Sequence, residues 1–347
     1  MNLTTPDLVT VGGLTVDNVI TADGVVALAR VGGNAAYSGV GARCFVDRVG
    51  LVSLAVSTYP QATLDRLEQN GLILDGVTRH LAALRHVDWF IYDAEGHRAE
   101  RLRSLPGDLV KAGFSDTQLS PDEVRRWIDI LKAMPEPAEP SYSQFRHDTP
   151  MTAAQVPPSY LKARGVHLAP CRLDVLMEMS EAFSASGRPM TLDPGWQISG
   201  EPLDALRPLL GRVDAFLPSE VELRALAPGA ELADGLALLA GACRGTVAVK
   251  LGPRGSLVWD RGRKTAVHVP ALRTKAVDPT GAGDSWGGGF LAGLVETGDP
   301  VLAAGFGTVA ASRIISHFGA DGALPVDHAA NRALLSELVG TTPNQRS

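Results

Sequence analysis

The chain has 347 residues, 45% hydrophobic and 20% charged, which suits a large folded core and argues against disorder. Its net charge of −6 argues against a nucleic-acid partner and means that any anionic substrate must be gripped by local donors. Cys44, Cys171 and Cys243 form neither a Cys-x-x-Cys pair nor a disulfide framework, the start MNLTTPDLVTVGG has no signal-peptide pattern, and no apolar run approaches ~18 residues. A cytoplasmic protein without a membrane span is expected.

Leu8 to Val11 reads as a buried strand stopping at Gly12-Gly13, with Asp17 close behind as a candidate hydroxyl acceptor or a turn aspartate. Val25 to Val31 is a second apolar run, and Gly32-Gly33-Asn34 leads into a helix through Ala42. There the glycines would admit a ligand close to the backbone, and Asn34 can serve a polyol or cap the helix. Val49 to Val56 is a strand, Ala62 to Asn70 a helix closed by Gly71. His86 to Arg103 reads as a hairpin turning at Asp93-Ala94-Glu95-Gly96, with Arg98 and Arg101 on a ligand-facing or a solvated face. Pro121 to Met134 is expected as a helix with proline in its first turn, followed by a proline-rich extended stretch. Ser141 to Pro158 shows little periodicity, so 105–160 is taken as an irregular insertion over the site or a partner-binding arm.

From Gly165 strands and helices alternate. Strands are expected at 166–170, 190–194, 215–218 and 246–251, helices at 174–186 and 232–243, and 256–259 should pair back after a turn. This rhythm predicts a mainly parallel sheet with helices on both faces. Asp193, Ser219, Glu222, Lys250 and Asp284 then fall at strand ends, where ligands gather. The strongest stretch is AVDPTGAGDSWGGGFLAGL, 276–294. Trp286, Phe290, Leu291, Leu294 and Val295 recur at helical steps, so Gly281 to Asp284 lies where a loop becomes a helix. Unpaired amides and the helix dipole make such a turn an anion site, and Asp284 at its lip suits a base for phosphoryl transfer. The alternative is an ordinary turn with Asp284 as a cap. Against it, Gly287-Gly288-Gly289 in a helix interior, each costing about 1 kcal/mol against alanine, requires a backbone packed closely on something. There is no P-loop, and no acidic residue follows at dinucleotide-site spacing.

These residues resemble a known family. VDPTGAGD is similar to the D-T-x-G-A-G-D signature of the ribokinase-like (PfkB-type) carbohydrate kinases. Gly12-Gly13 with Asp17, and Gly32-Gly33-Asn34, resemble that family's substrate half; PSEVEL at 218–223 resembles its N-x-x-E element, and KLGPRGS at 250–256 its T-x-G-x-x-G turn. The resemblance implies a three-layer α/β fold in one domain over 1–340, with a β lid from about 14–32 and 86–103 and a tail at 341–347. It implies an ATP- and Mg²⁺-dependent kinase of a sugar hydroxyl. Asp284 would be the base, and Gly281, Ala282 and Gly283 the anion hole. Asp17, Gly33 and Asn34 would hold the sugar. Ser219, Lys250, Gly252, Gly255 and Thr280 would lie along the nucleotide, Glu222 would orient Mg²⁺ through water, and Asp278 with Thr280 would match a K⁺ site. Relatives dimerise through lid strands, which leaves a homodimer open. Pro279, Ser219 and Tyr37 depart from the family pattern, and the short Asp17–Gly32 spacing suggests a lid built mostly from 86–103. A nucleoside kinase of the same fold, with Tyr37 or Trp89 stacking on a base, and a non-catalytic sugar-binding regulator are the competing readings.

Overall fold

The computed structural model describes residues 5–84, 87–92, 98, 99, 103, 104, 111–114, 118–135, 138 and 140–341. A nine-stranded sheet runs through the molecule. Strand β1 (Leu8–Val11) is central, flanked on one side by β4 (Val49–Val56) and β5 (Leu72–His80). On the other side lie β9 (Val166–Leu168), β10 (Met190–Leu192), β11 (Ala215–Phe216) and β12 (Thr246–Lys250). From β5 across to β12 all pairings are parallel; β13 (Ser256–Asp260) and β14 (Thr265–Val269) then close the edge antiparallel. β1, β4, β9 and β10 are buried at every position, as strands covered on both faces must be. Chain order reverses between β1 and β9, which places a crevice beyond their C-terminal ends.

The parallel sheet expected from the strand–helix rhythm is present, with strand ends one to two residues shorter than read from sequence. A second sheet forms the lid: β2 (Thr15–Ile20), β3 (Val26–Gly32), β6 (Val87–Tyr92) and β7 (Arg98–Ala99), with β8 (Arg103–Ser104) also on β6. Two expectations need correcting here. The 14–32 segment, expected to be short, supplies two full strands of the lid beside the described strands of 86–103. Asp17 does not sit in a turn after β1 but inside β2. The hairpin turn at 93–96 and Arg101 lie outside the described residues.

The 105–160 stretch is not one irregular insertion. The expected helix forms at Pro121–Ala133 behind a capping box between Ser120 and Glu123. Its Val124 and Leu131 pack with Ile20, Trp89, Ile91 and Phe114, covering one face of the lid sheet. A second helix, Tyr142–Asp148, was not foreseen; Phe145 and Tyr160 anchor this part of the chain in the main core.

The Ala282–Thr297 helix is packed closely on its neighbours, and the glycine run shows how. A Cβ at Gly287 would lie 2.6 Å from the His167 ring, at Gly288 1.9 Å from the Ser38 carbonyl oxygen, and at Gly289 2.6 Å from the Ala310 Cβ. Successive helix residues point about 100° apart, so three consecutive glycines meet three different neighbours: a strand, the Asn34–Arg43 helix and the Pro300–Ile314 helix. The sequence demand for close packing is thereby met.

Candidate active site

A cavity of about 780 Å³ opens between the C-terminal ends of β1, β9 and β10, the lid and the N-terminus of the Ala282–Thr297 helix. Asp17, Gly33, Asn34, Ser219, Glu222, Thr280, Gly281, Ala282, Gly283 and Asp284 all line it. Lys250, Gly252, Gly255 and Asp278 do not, although Lys250 reaches it indirectly. A larger depression of about 1020 Å³ lies against Asp214 and Thr246, at the opposite ends of β11 and β12, away from these residues.

Gly281 caps the helix at φ 74°, a left-handed conformation that glycine adopts without strain. A Cβ there would also lie 2.2 Å from the Tyr37 ring. The Ala282 N–H is turned to the Pro279 carbonyl (3.3 Å), which corrects its place in the expected hole. The N–H groups of Gly281, Gly283 and Asp284 have no acceptor among the described residues. With the helix dipole behind them, these donors make a place where an anion would be favoured. Asp284 stands in the first helical turn. Burial, then Asp193 and Glu222, push its carboxyl up to about 7 against the pull of Lys250. The residue keeps some solvent contact, which lowers the cost of its charged form.

Beneath this end, Lys250 is paired with Asp193. Burial alone would lower the Lys250 ammonium, but Asp193 and Glu222 reverse this and hold it charged. Burial raises Asp193 to about 6 despite the lysine. Lys250 Nζ lies 3.5 Å from where a Cβ on Gly283 would be, so its charge backs the amide hole rather than reaching out along the β12 turn. Gly252 and Gly255 shape that turn, both at positive φ.

At the substrate end Asp17 is wholly buried, accepts from the Thr15 hydroxyl (2.7 Å), and lies 3.5 Å from the Tyr37 hydroxyl. Burial and the nearby Asp88 raise its carboxyl well above the usual range. A Cβ on Gly32 would meet that carboxyl at 2.0 Å, which accounts for glycine there. Asn34 does not cap its helix: Oδ1 accepts from Gly13 N–H (2.6 Å) and Nδ2 donates to the Pro170 carbonyl (2.7 Å), tying the ends of β1 and β9 together. Tyr37 lies between Asp17 and Gly281, joining the two ends of the cavity.

Ser219 and Glu222 form a reciprocal capping box, with Ser219 N–H donating to Glu222 Oε2 (2.7 Å). Glu222 also lines the cavity. Asp278 Oδ1 accepts from Thr280 N–H (2.9 Å), while its Oδ2 is buried without a partner among the described residues. The Thr280 hydroxyl meets that of Tyr92 (2.9 Å), linking the anion-hole loop to the lid.

Sequence reading missed the cavity wall formed by Tyr142 and Arg146, and the exposed Trp196 at the rim. The available signal was Ser141, whose side chain accepts from Gln144 N–H and starts the Tyr142–Asp148 helix. At seven residues that helix is too short to show periodicity.

Comparison with known proteins agrees with this architecture. The profile of the pfkB family carbohydrate kinases matches residues 147–327. The chain is 26% identical over 295 residues to a cytidine kinase of Thermococcus kodakarensis, covering 83% of this chain and 88% of the relative. The fold matches a Burkholderia thailandensis nucleoside kinase in complex with inosine (TM-score 0.69, 17% identity, 96% and 98% of the two chains). It also matches an Arabidopsis thaliana ribokinase complexed with ribose and ATP (TM-score 0.65, 18% identity, 96% and 99%). With the family profile covering more than half of its length and its α/β frame built as the family's fold requires, this chain belongs to the pfkB family of carbohydrate kinases.

Proposed function

We propose that the chain transfers the γ-phosphate of ATP to a hydroxyl of a monosaccharide or sugar derivative. The observation that carries this reading is the position of Asp284. A half-buried carboxyl raised to about 7 stands beside three amides without an acceptor among the described residues, in one cavity with Asp17 and Asn34. A base works best when its pKa is near the operating pH, and amides aimed at developing phosphoryl charge stabilise the transition state.

The hydroxyl oxygen forms the new bond to the γ-phosphorus, its proton passes to Asp284, and the bond to the β–γ bridging oxygen breaks, releasing ADP. Asp17 and Asn34 orient the acceptor sugar; the amides of Gly281, Gly283 and Asp284 hold the charge on the moving phosphoryl group. Lys250 adds a fixed positive charge behind them. Glu222 fits a Mg²⁺ held through water, which would neutralise phosphate charge when bound. Asp278, whose Oδ2 is buried without a geometric hydrogen bond among the described residues, would fit a monovalent cation such as K⁺.

A nucleoside acceptor is the second reading. The similarity to a cytidine kinase along most of both chains and the aromatic side chains of Tyr142 and Trp196 on the cavity wall favour it. ADP release measured against a panel of monosaccharides and ribosides, with Asp284→Asn as control, tests both. Turnover that survives in the variant sinks the mechanism, and ligand binding without ADP release supports a regulator instead.

A further inference from the structure

The cavity is unevenly charged. Asp17, Asp88, Glu222 and Asp284 contribute carboxyls, and among the described residues two guanidinium groups line the cavity with them. Arg172 is already neutralised: its Nε and NH2 donate to the two oxygens of Asp174 at 3.0 and 2.7 Å. Arg146 is different. Among the described residues it pairs with no carboxylate. Its NH2 donates to Cys171 Sγ at 2.8 Å, and its guanidinium carbon lies 5.9 Å from the centre of the Tyr142 ring. Burial pushes the Cys171 thiol up, so at neutral pH Arg146 faces a neutral sulfur. Asp88 has an interaction of its own.

Arg146 is also held in place. Tyr142, one helical turn before it, accepts from Leu14 N–H (3.2 Å) and donates to the Leu54 carbonyl (3.2 Å), and Phe145 is buried in the core. Arg146 NH1 lies 2.6 Å from where a Cβ on Gly13 would be, and Gly13 is the residue whose N–H is bonded by Asn34. The guanidinium therefore stands beside the segment that the proposed function assigns to the sugar.

A half-buried cation without a counter-ion is costly, and an anion brought by a ligand offsets that cost. The guanidinium fork matches the two oxygens of a carboxylate through parallel N–H···O bonds. Among the described residues, one uncompensated positive charge beside four carboxyls suits a monoanion better than a phosphate dianion. We propose that Arg146 is a specificity residue that receives a carboxylate on the acceptor, so that the phosphorylated substrate is a sugar acid. This rests on the kinase reading above.

The test uses the full chain with ATP and Mg²⁺ and acceptor pairs that differ only in the carboxylate: glucose with gluconate and glucuronate, ribose with ribonate. Cytidine and uridine are included as neutral bases that could also meet the fork. At least one acid should be turned over with kcat/KM well above its neutral partner. Arg146→Gln should lower that value about a hundredfold, mainly through KM, as loss of a half-buried charge partner does. Arg146→Lys should keep part of it, which separates lost recognition from lost folding. Preference for neutral sugars or nucleosides, unchanged in Arg146→Gln, overturns the inference and leaves the kinase standing. If no acceptor releases ADP, the kinase reading fails by itself. Thermal shift of wild type and Arg146→Gln with the same acids then decides: a shift that ignores the carboxylate, or none, overturns the anion site as well.

Discussion

The two ends of the cavity are built on different principles. At the end where phosphoryl transfer is proposed, one continuous stretch, Pro279 to Asp284, supplies the backbone amides and the candidate base, with Lys250 and Glu222 beside it. At the proposed acceptor end the candidates are side chains far apart in sequence: Asp17 on a lid strand, Asn34 on the first helix and Arg146 on a short helix more than a hundred residues later. A backbone site has little tolerance, because every residue in it fixes the position of the next. A side-chain site can change one residue at a time, so it is where substrate choice is expected to reside. The difference predicts that changes at the phosphoryl end lower turnover of every acceptor, while changes at the acceptor end alter which acceptor is used.

The largest effect is expected at Asp284. Asp284→Asn removes the proton acceptor while leaving the amides in place, and kcat should fall about a thousandfold for all acceptors alike. A loss confined to one acceptor would break the contrast between the ends. The same residue sets the pH dependence. With its carboxyl raised to about 7, kcat/KM should climb as pH rises through 7, and Lys250, held charged by Asp193, should add no competing step in that range. For stability the sign is opposite. A raised carboxyl favours the folded chain below its unfolded value near 4, and this advantage is lost as pH rises toward 7. Asp284→Asn should therefore be the more stable protein at pH 8, by on the order of 1 kcal/mol after allowing for solvent contact, and no more stable at pH 4. Urea titrations at the two pH values read this directly.

Next comes Gly281→Ala. The left-handed backbone and the Tyr37 ring both oppose a Cβ, so the loop must shift and the amides lose their aim. A fall of about a hundredfold in kcat is expected, in the range for a lost oxyanion donor, with a strain cost of about 1–3 kcal/mol. Retained kcat would mean that the amides do not bind the moving phosphoryl group.

This contrast also explains what the sequence showed and what it hid. The phosphoryl end was legible because backbone geometry constrains residue type: only glycine suits Gly281 beside Tyr37, and only glycines let the next helix turn pass His167, Ser38 and Ala310. The parallel sheet was legible for the same reason, since strands buried on both faces become uninterrupted apolar runs. The lid strands were harder. β2 carries Asp17 and Asn18 with their side chains buried, which breaks the pattern that marks a strand. Arg146 could not be read at all, because nothing local distinguishes a cavity arginine from a surface one. Its significance arises from Gly13, Cys171 and Tyr142 meeting around it in three dimensions.

The smallest predicted effect is the most discriminating, because Tyr37 touches both ends. Its ring packs on Gly281, and its hydroxyl lies 3.5 Å from Asp17. At that distance the hydrogen bond is weak, and burial followed by the nearby Asp17 raises the phenol further from ionisation. Tyr37→Phe keeps the ring and removes only the hydroxyl, so kcat should be unchanged and KM for the acceptor should rise less than about tenfold. Tyr37→Ala removes the packing as well and should lower kcat along with KM. If the phenylalanine variant lost kcat as the alanine variant does, the hydroxyl rather than the ring would couple the two ends, and the separation between a backbone-built phosphoryl site and a side-chain-built acceptor site would have to be abandoned.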